Sequence, residues 1–108
     1  MYDYKDPCVV DFSKVTYYSE VHKILKEAFD FPDYYGENLD ALWDCLTDIS
    51  GEIINVEIHG LSVVRDKFDD TADELISIFR EWKHYANDRH CDKTRIFIIE
   101  GRTETELT

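Results

Sequence analysis

The stretch "IINVEI", Ile53–Ile58, has four apolar residues in six, all of them β-branched, and neither proline nor glycine. β-Branched side chains suit a pleated, packed surface, so the run reads as a β-strand. Its apolarity and scarcity of charge place it in the middle of a sheet rather than at an edge.

Working outward, Cys8–Phe12 ("CVVDF") and Thr94–Ile99 ("TRIFII") read as two further strands. Helical patterns fill both gaps. Ser19 is positioned to cap a helix with Val21, Ile24, Leu25, Ala28 and Phe29 on one buried face, and Pro32 stops it. "DYYGEN", Asp33–Asn38, is a turn in which Gly36 suits a positive φ and Asn38 caps the next helix. That helix runs from Leu39 to Ile49. Leu39, Leu42, Cys45, Leu46 and Ile49 fall on one side, with Asp40, Asp44 and Thr47 opposite. Asp48 lies toward one edge and Trp43 at the boundary. Beyond the central strand, Leu61–Phe68 is a short helix or loop. Thr71 and Glu74 have the capping-box spacing and open a long helix with Leu75, Ile76, Phe79, Trp82 and Ala86 inward. "NDRHCD" (Asn87–Asp92) reads as a polar connection, and "GRTETELT" (Gly101–Thr108) as a tail that frays.

The order is β, α, α, β, α, α, β. Connections of this length imply parallel strands joined by right-handed crossovers. The expected fold class is α/β, a three-stranded parallel sheet packed with about four helices. With 108 residues the chain suffices for one domain, residues 1–108, with its core over about residues 8–100.

Charge is the unusual feature. The formal net charge is −12, which disfavours nucleic-acid binding through phosphates. From Glu27 to Val64 there is no Lys or Arg, yet the window holds nine of the 24 acids. Within it Asp40, Asp44 and Asp48 succeed one another at helical spacing, where like charges repel. A solvated helix face is the ordinary explanation of such a run. Two features argue for more: bases are missing from the whole window, and Tyr34, Tyr35 and Trp43 flank the acids. Rigid aromatics beside acids suit docking onto a basic partner.

Other chemistries find little support. The three cysteines (Cys8, Cys45 and Cys91) form no CxxC and read as reduced, buried thiols, with a Cys45–Cys91 bridge open to oxidation. His22, His59, His84 and His90 are scattered, and Asp88, His90 and Cys91 make a weak metal cluster without a second motif. No phosphate-binding glycine motif appears. The expectation is therefore no enzyme, no cofactor and no metal. No apolar run reaches the roughly 18 residues that span a membrane. The N-terminus lacks the pattern of a signal peptide, so a cytoplasmic location is expected.

"YYGENLDALWDCLT" (Tyr34–Thr47) resembles the signature segment of the barstar family, intracellular inhibitors of the ribonuclease barnase. "FREWK" (Phe79–Lys83) and "CDKTRIFI" (Cys91–Ile98) resemble later segments of that family, and the likeness covers most of Cys8–Glu100. It implies the fold already read and a 1:1 complex with a basic microbial ribonuclease. The second helix and preceding loop would plug the enzyme's cleft, with carboxylates in place of RNA phosphates. By position, Asp44 is implied as the central plug, with Asp40 in support and Tyr34 stacking at the rim. Tyr35, Gly36, Asn38, Leu39, Trp43, Thr47 and Asp48 surround them, and Glu81 adds a charge from the long helix. Cys45 and Cys91 match the family's two cysteines. The chain departs from the family pattern at Asp48-Ile49, where Gly-Trp is usual, and at Tyr85, where an acid is usual. Its Ala86–His90 segment is also longer. These changes spare the centre and alter the rim. An immunity protein against a different toxin, or a family member with another partner, are the alternative expectations.

Overall fold

The computed structural model describes residues 8–31, 36, 38–48, 55–90 and 94–107, with backbone alone for 86–90. The elements run β1 (Cys8–Asp11), α1 (Tyr18–Phe29), α2 (Leu39–Asp48), β2 (Asn55–His59), α3 (Leu61–Phe68), α4 (Thr71–His90), β3 (Arg95–Glu100) and β4 (Thr103–Leu107). The sheet order is β1-β2-β3-β4. β1–β2 and β2–β3 are parallel, in the registers Cys8 to Val56 and Val56 to Ile96. The expected central strand is therefore internal, although Ile53 and Ile54 lie outside the described residues.

A fourth strand corrects the expectation of three. Glu100 pairs with Thr103, and β4 runs antiparallel to β3 as far as Leu107 opposite Ile96. The turn is Gly101-Arg102 with Gly101 at φ 61°, the left-handed geometry that a two-residue hairpin favours. The tail is thus a strand through Leu107. Lys83 on α4 donates its Nζ–H to the Leu107 carbonyl at 2.8 Å. Arg95 forks onto the Glu106 carboxylate at 3.0 and 2.9 Å.

Two right-handed crossovers taken in the same direction across a sheet put both helical layers on one face. Burial follows this geometry. Cys8, Val10, Val56, Ile58 and Ile96 are fully or almost fully buried, whereas Val9 is 48% exposed. Along β2, Asn55, Glu57 and His59 alternate with the buried pair and are only half covered. Beneath the helices, Phe29 of α1 stacks on Phe31 at 5.4 Å and on Phe79 of α4 at 5.9 Å, and Trp82 meets it edge-on at 6.2 Å.

Several boundaries move from their expected places. α1 begins at Tyr18 rather than after Ser19, because Glu20 reaches back to accept the N–H groups of Thr16 (2.9 Å) and Tyr17 (2.7 Å). It ends at Phe29, before Pro32, because Asp30 takes the left-handed conformation (φ 55°) and returns its N–H to Lys26. At α4 the first carbonyl acceptor is Asp70, bonded by the Glu74 N–H at 3.0 Å, so Thr71 lies inside the helix. α4 then continues to His90 through most of the expected polar connection. Residues 87–90 are polar but contain no glycine or proline, and polarity alone does not end a helix.

One corner is fixed by glycine. Gly60 joins β2 to α3 at φ +74°, and a Cβ there would sit 2.4 Å from the Ser13 nitrogen. The Phe12 N–H bonds the His59 carbonyl at 2.8 Å across the same contact.

Candidate functional site

The site is built on α2. Asn38 starts it as expected: its Oδ1 accepts the Ala41 N–H at 2.8 Å, and its carbonyl accepts the Leu42 N–H at 2.9 Å. Its Nδ2 returns to the Gly36 carbonyl at 3.2 Å. Gly36 is itself closely surrounded. Its role is space, since a Cβ would press on Asn38 Nδ2 at 3.3 Å and on Ala41 Cβ at 3.4 Å.

From that cap the 3.6-residue period separates two faces. Leu42, Cys45 and Leu46 are buried in the core. Asp40, Asp44 and Asp48 are exposed, while Leu39, Trp43 and Thr47 are half-buried between the faces. The Thr47 hydroxyl donates to the Asp44 carbonyl at 2.9 Å, one turn back.

α4 lies alongside α2, and the groove between them is lined by Leu39, Asp40, Trp43, Asp44, Ile78 and Glu81. Three carboxylates thus border a floor of aliphatic side chains and an indole. The ion pairs among the described residues are Glu57–His59, Arg65–Asp73 and Arg95–Glu106, so none involves Asp40, Asp44, Asp48 or Glu81. The acids bear on the thiol beneath them. Burial first, then the charges of Asp48 and Asp44, push the Cys45 thiol above its ordinary value of 9.0.

Of the expected site residues, the structure brings Leu39, Asp40, Trp43, Asp44 and Glu81 into one groove. Asn38 joins Leu39 and Asp40 in a neighbouring groove whose fourth member is Tyr18 of α1. Thr47 and Asp48 sit further along α2 and line neither. Tyr34 and Tyr35 lie outside the described residues, as do Ile49 and Cys91.

Sequence reading missed Ile78 and Tyr18 and left the role of Tyr85 open. Ile78 supplies part of the groove floor, and its three-residue spacing from Glu81 was the available signal. Tyr85, one turn beyond Glu81, meets Trp43 edge-on at 5.7 Å and 70°. The departure from an acid at that position is therefore an aromatic brace on Trp43. Tyr18 had no local signal, because the fold alone carries it to α2. Among the described residues no cluster of His, Cys, Asp and Glu is suited to a metal ion, and no helix is long and apolar enough to cross a membrane.

A helix-covered sheet presenting carboxylates that have no ion pair among the described residues, around a half-buried indole, is suited to binding a protein. Comparison with known proteins agrees. Residues 6–98 match the family model described as "Barstar (barnase inhibitor)", and the chain belongs to the Barstar family. It is also 35% identical to the "Putative ribonuclease inhibitor YrdF" of Bacillus subtilis over 68 residues, 63% of this chain and 75% of the relative. Membership places the chain among inhibitors rather than enzymes.

Proposed function

We propose that the chain inhibits a basic ribonuclease of the barnase type, in a 1:1 complex, by laying α2 and its preceding loop into the enzyme's phosphate-binding cleft. One observation carries the reading: Asp40, Asp44 and Glu81 border one groove against Trp43, and none is ion-paired within the described residues. Like charges held together without counter-cations favour a partner that brings its own. Asp44 is the central charge, in the place of an RNA phosphate. Asp40 and Glu81 flank it, Trp43 and Leu39 give apolar contact, and Asn38 holds the helix start. Tyr34, Tyr35, Gly36, Thr47 and Asp48 complete the surface. The reading implies action inside the producing cell, before the ribonuclease is exported.

The test is titration of barnase with the protein on a fluorogenic RNA substrate. Inhibition should be complete at one equivalent and weaken as salt screens the charges. Asp44→Ala should lose more affinity than any other single change on α2. Equal inhibition by Asp44→Ala and the native protein would refute the plug.

A further inference from the structure

The second groove carries an inference that rests on the reading above and extends it. Tyr18 opens α1 and is 45% exposed. Its orientation is nevertheless set from two sides. His22, one turn on, meets it edge-on at 5.6 Å and 68°; Phe68, the last residue of α3, does so at 5.7 Å and 84°. Together with Asn38, Leu39 and Asp40, the ring lines an open groove. Leu39 and Asp40 line both this groove and the one between α2 and α4. The carboxylate of Asp40 therefore stands between two aromatic walls, Trp43 on the α4 side and Tyr18 on the α1 side.

We propose that Tyr18 is a partner-contact residue, and that its groove receives one Lys or Arg side chain from the rim of the ribonuclease cleft. The surface is continuous with the proposed plug through Leu39 and Asp40, and among the described residues that line it the charged group is a carboxylate. A long cationic side chain matches it. Its aliphatic stem lies on Leu39 and the tyrosine ring, and its charge reaches Asp40. Because the ring is already held by His22 and Phe68, little side-chain freedom is lost when the groove fills. The contact joins α1 to a binding surface otherwise made by α2 and α4.

Barnase is the probe. Tyr18→Ala should weaken its binding roughly 5- to 30-fold, the range of a moderate interface anchor, while Tyr18→Phe stays within about threefold. Tyr17, 69% exposed and outside the groove, is the neighbouring control, and Tyr17→Ala should bind as the native protein does. Coupling in a double-mutant cycle should appear between Tyr18→Ala and Asp40→Asn, and be absent between Tyr18→Ala and Glu81→Gln. Hydroxyl-radical footprinting of the native protein reads the same contact without a substitution: barnase should protect Tyr18 and leave Tyr17 reactive. If Tyr18 stays as reactive in the complex as alone, or Tyr18→Ala binds within twofold of native while Asp44→Ala does not, this inference fails and the plug stands. If the native protein does not bind barnase, or Asp44→Ala binds as well as native, the plug itself fails.

Discussion

Asp44→Asn should make the free protein more stable and its complex weaker. Asp44 has a like charge one turn away on each side, Asp40 before it and Asp48 after it, all three exposed on α2. Side chains four apart on a helix are about 6 Å apart at Cβ, where two unit charges in water repel by about 0.7 kcal/mol. With a Debye length of about 10 Å in 0.1 M salt, screening leaves about 0.4 kcal/mol for each pair. Removing the middle charge relieves both pairs, about 0.8 kcal/mol in all, within the range measured for like charges on helices. Asn and Asp are nearly equal in helix propensity and shape, so little offsets the gain. For a domain of this size that gain is a rise in Tm of about 3–5 °C. In 1 M salt the Debye length shrinks to about 3 Å, and the gain should fall to about 0.2 kcal/mol. The assay is thermal unfolding of native and variant proteins in 0.1 and 1 M NaCl, beside barnase inhibition. A variant no more stable at low salt, or equally stabilised at both salts, would show that the acids do not strain α2.

Other regions make separate claims. Ending the chain at Gly101 removes β4, including Leu107, which is 5% exposed, and should cost at least about 2 kcal/mol in urea unfolding; an unchanged midpoint would contradict a packed fourth strand. Gly60→Ala sets a Cβ 2.4 Å from backbone at φ +74°, and should destabilise by about 3 kcal/mol, the left-handed penalty plus displacement of the β1 end. Asp11 is held below its ordinary 3.8 by hydrogen bonds from Ser13, and Glu20 below 4.5 by the N–H groups of Tyr17 and Thr16. Glu106 is held below 4.5 by Arg95. In each case the unfolded chain binds the proton first, so their stabilisation is complete above about pH 5 and lost as pH falls below about 4. Glu20→Gln should flatten the fall of stability between those values in acid titrations followed by circular dichroism.

Much of this was legible because burial forces a period. The apolar spacings of Val21, Leu25 and Phe29, and of Leu42, Cys45 and Leu46, survive unchanged as buried positions. The acidic side of α2 followed from the same arithmetic, and Asn38 from its capping chemistry. Signals that compete locally were harder to read. "TETEL" has no apolar stripe to mark it as a strand; its pairing draws on Arg95, Lys83 and the Gly101 turn, two of them far from it in sequence. The α1 cap moved by two residues and the α4 cap by one, because Glu20 and Asp70 offered acceptors that Ser19 and Thr71 did not supply first. Tyr18 and Tyr85 could not be placed beside α2 without the packing of α1, α3 and α4 around it.

The sheet registers bear on how the binding surface assembles. Cys8 pairs with Val56 and Asn55 with Arg95, so each parallel pairing closes a loop of roughly forty to fifty residues. Among the described residues only the β3–β4 pairing is local. β2 gains its second neighbour, and Lys83 the Leu107 carbonyl, only when segments distant in sequence have come together. The sheet therefore closes at the slow rate that distant pairings impose. α2 lies in the first crossover and α4 in the second, so the groove between them exists only once both distant pairings have closed.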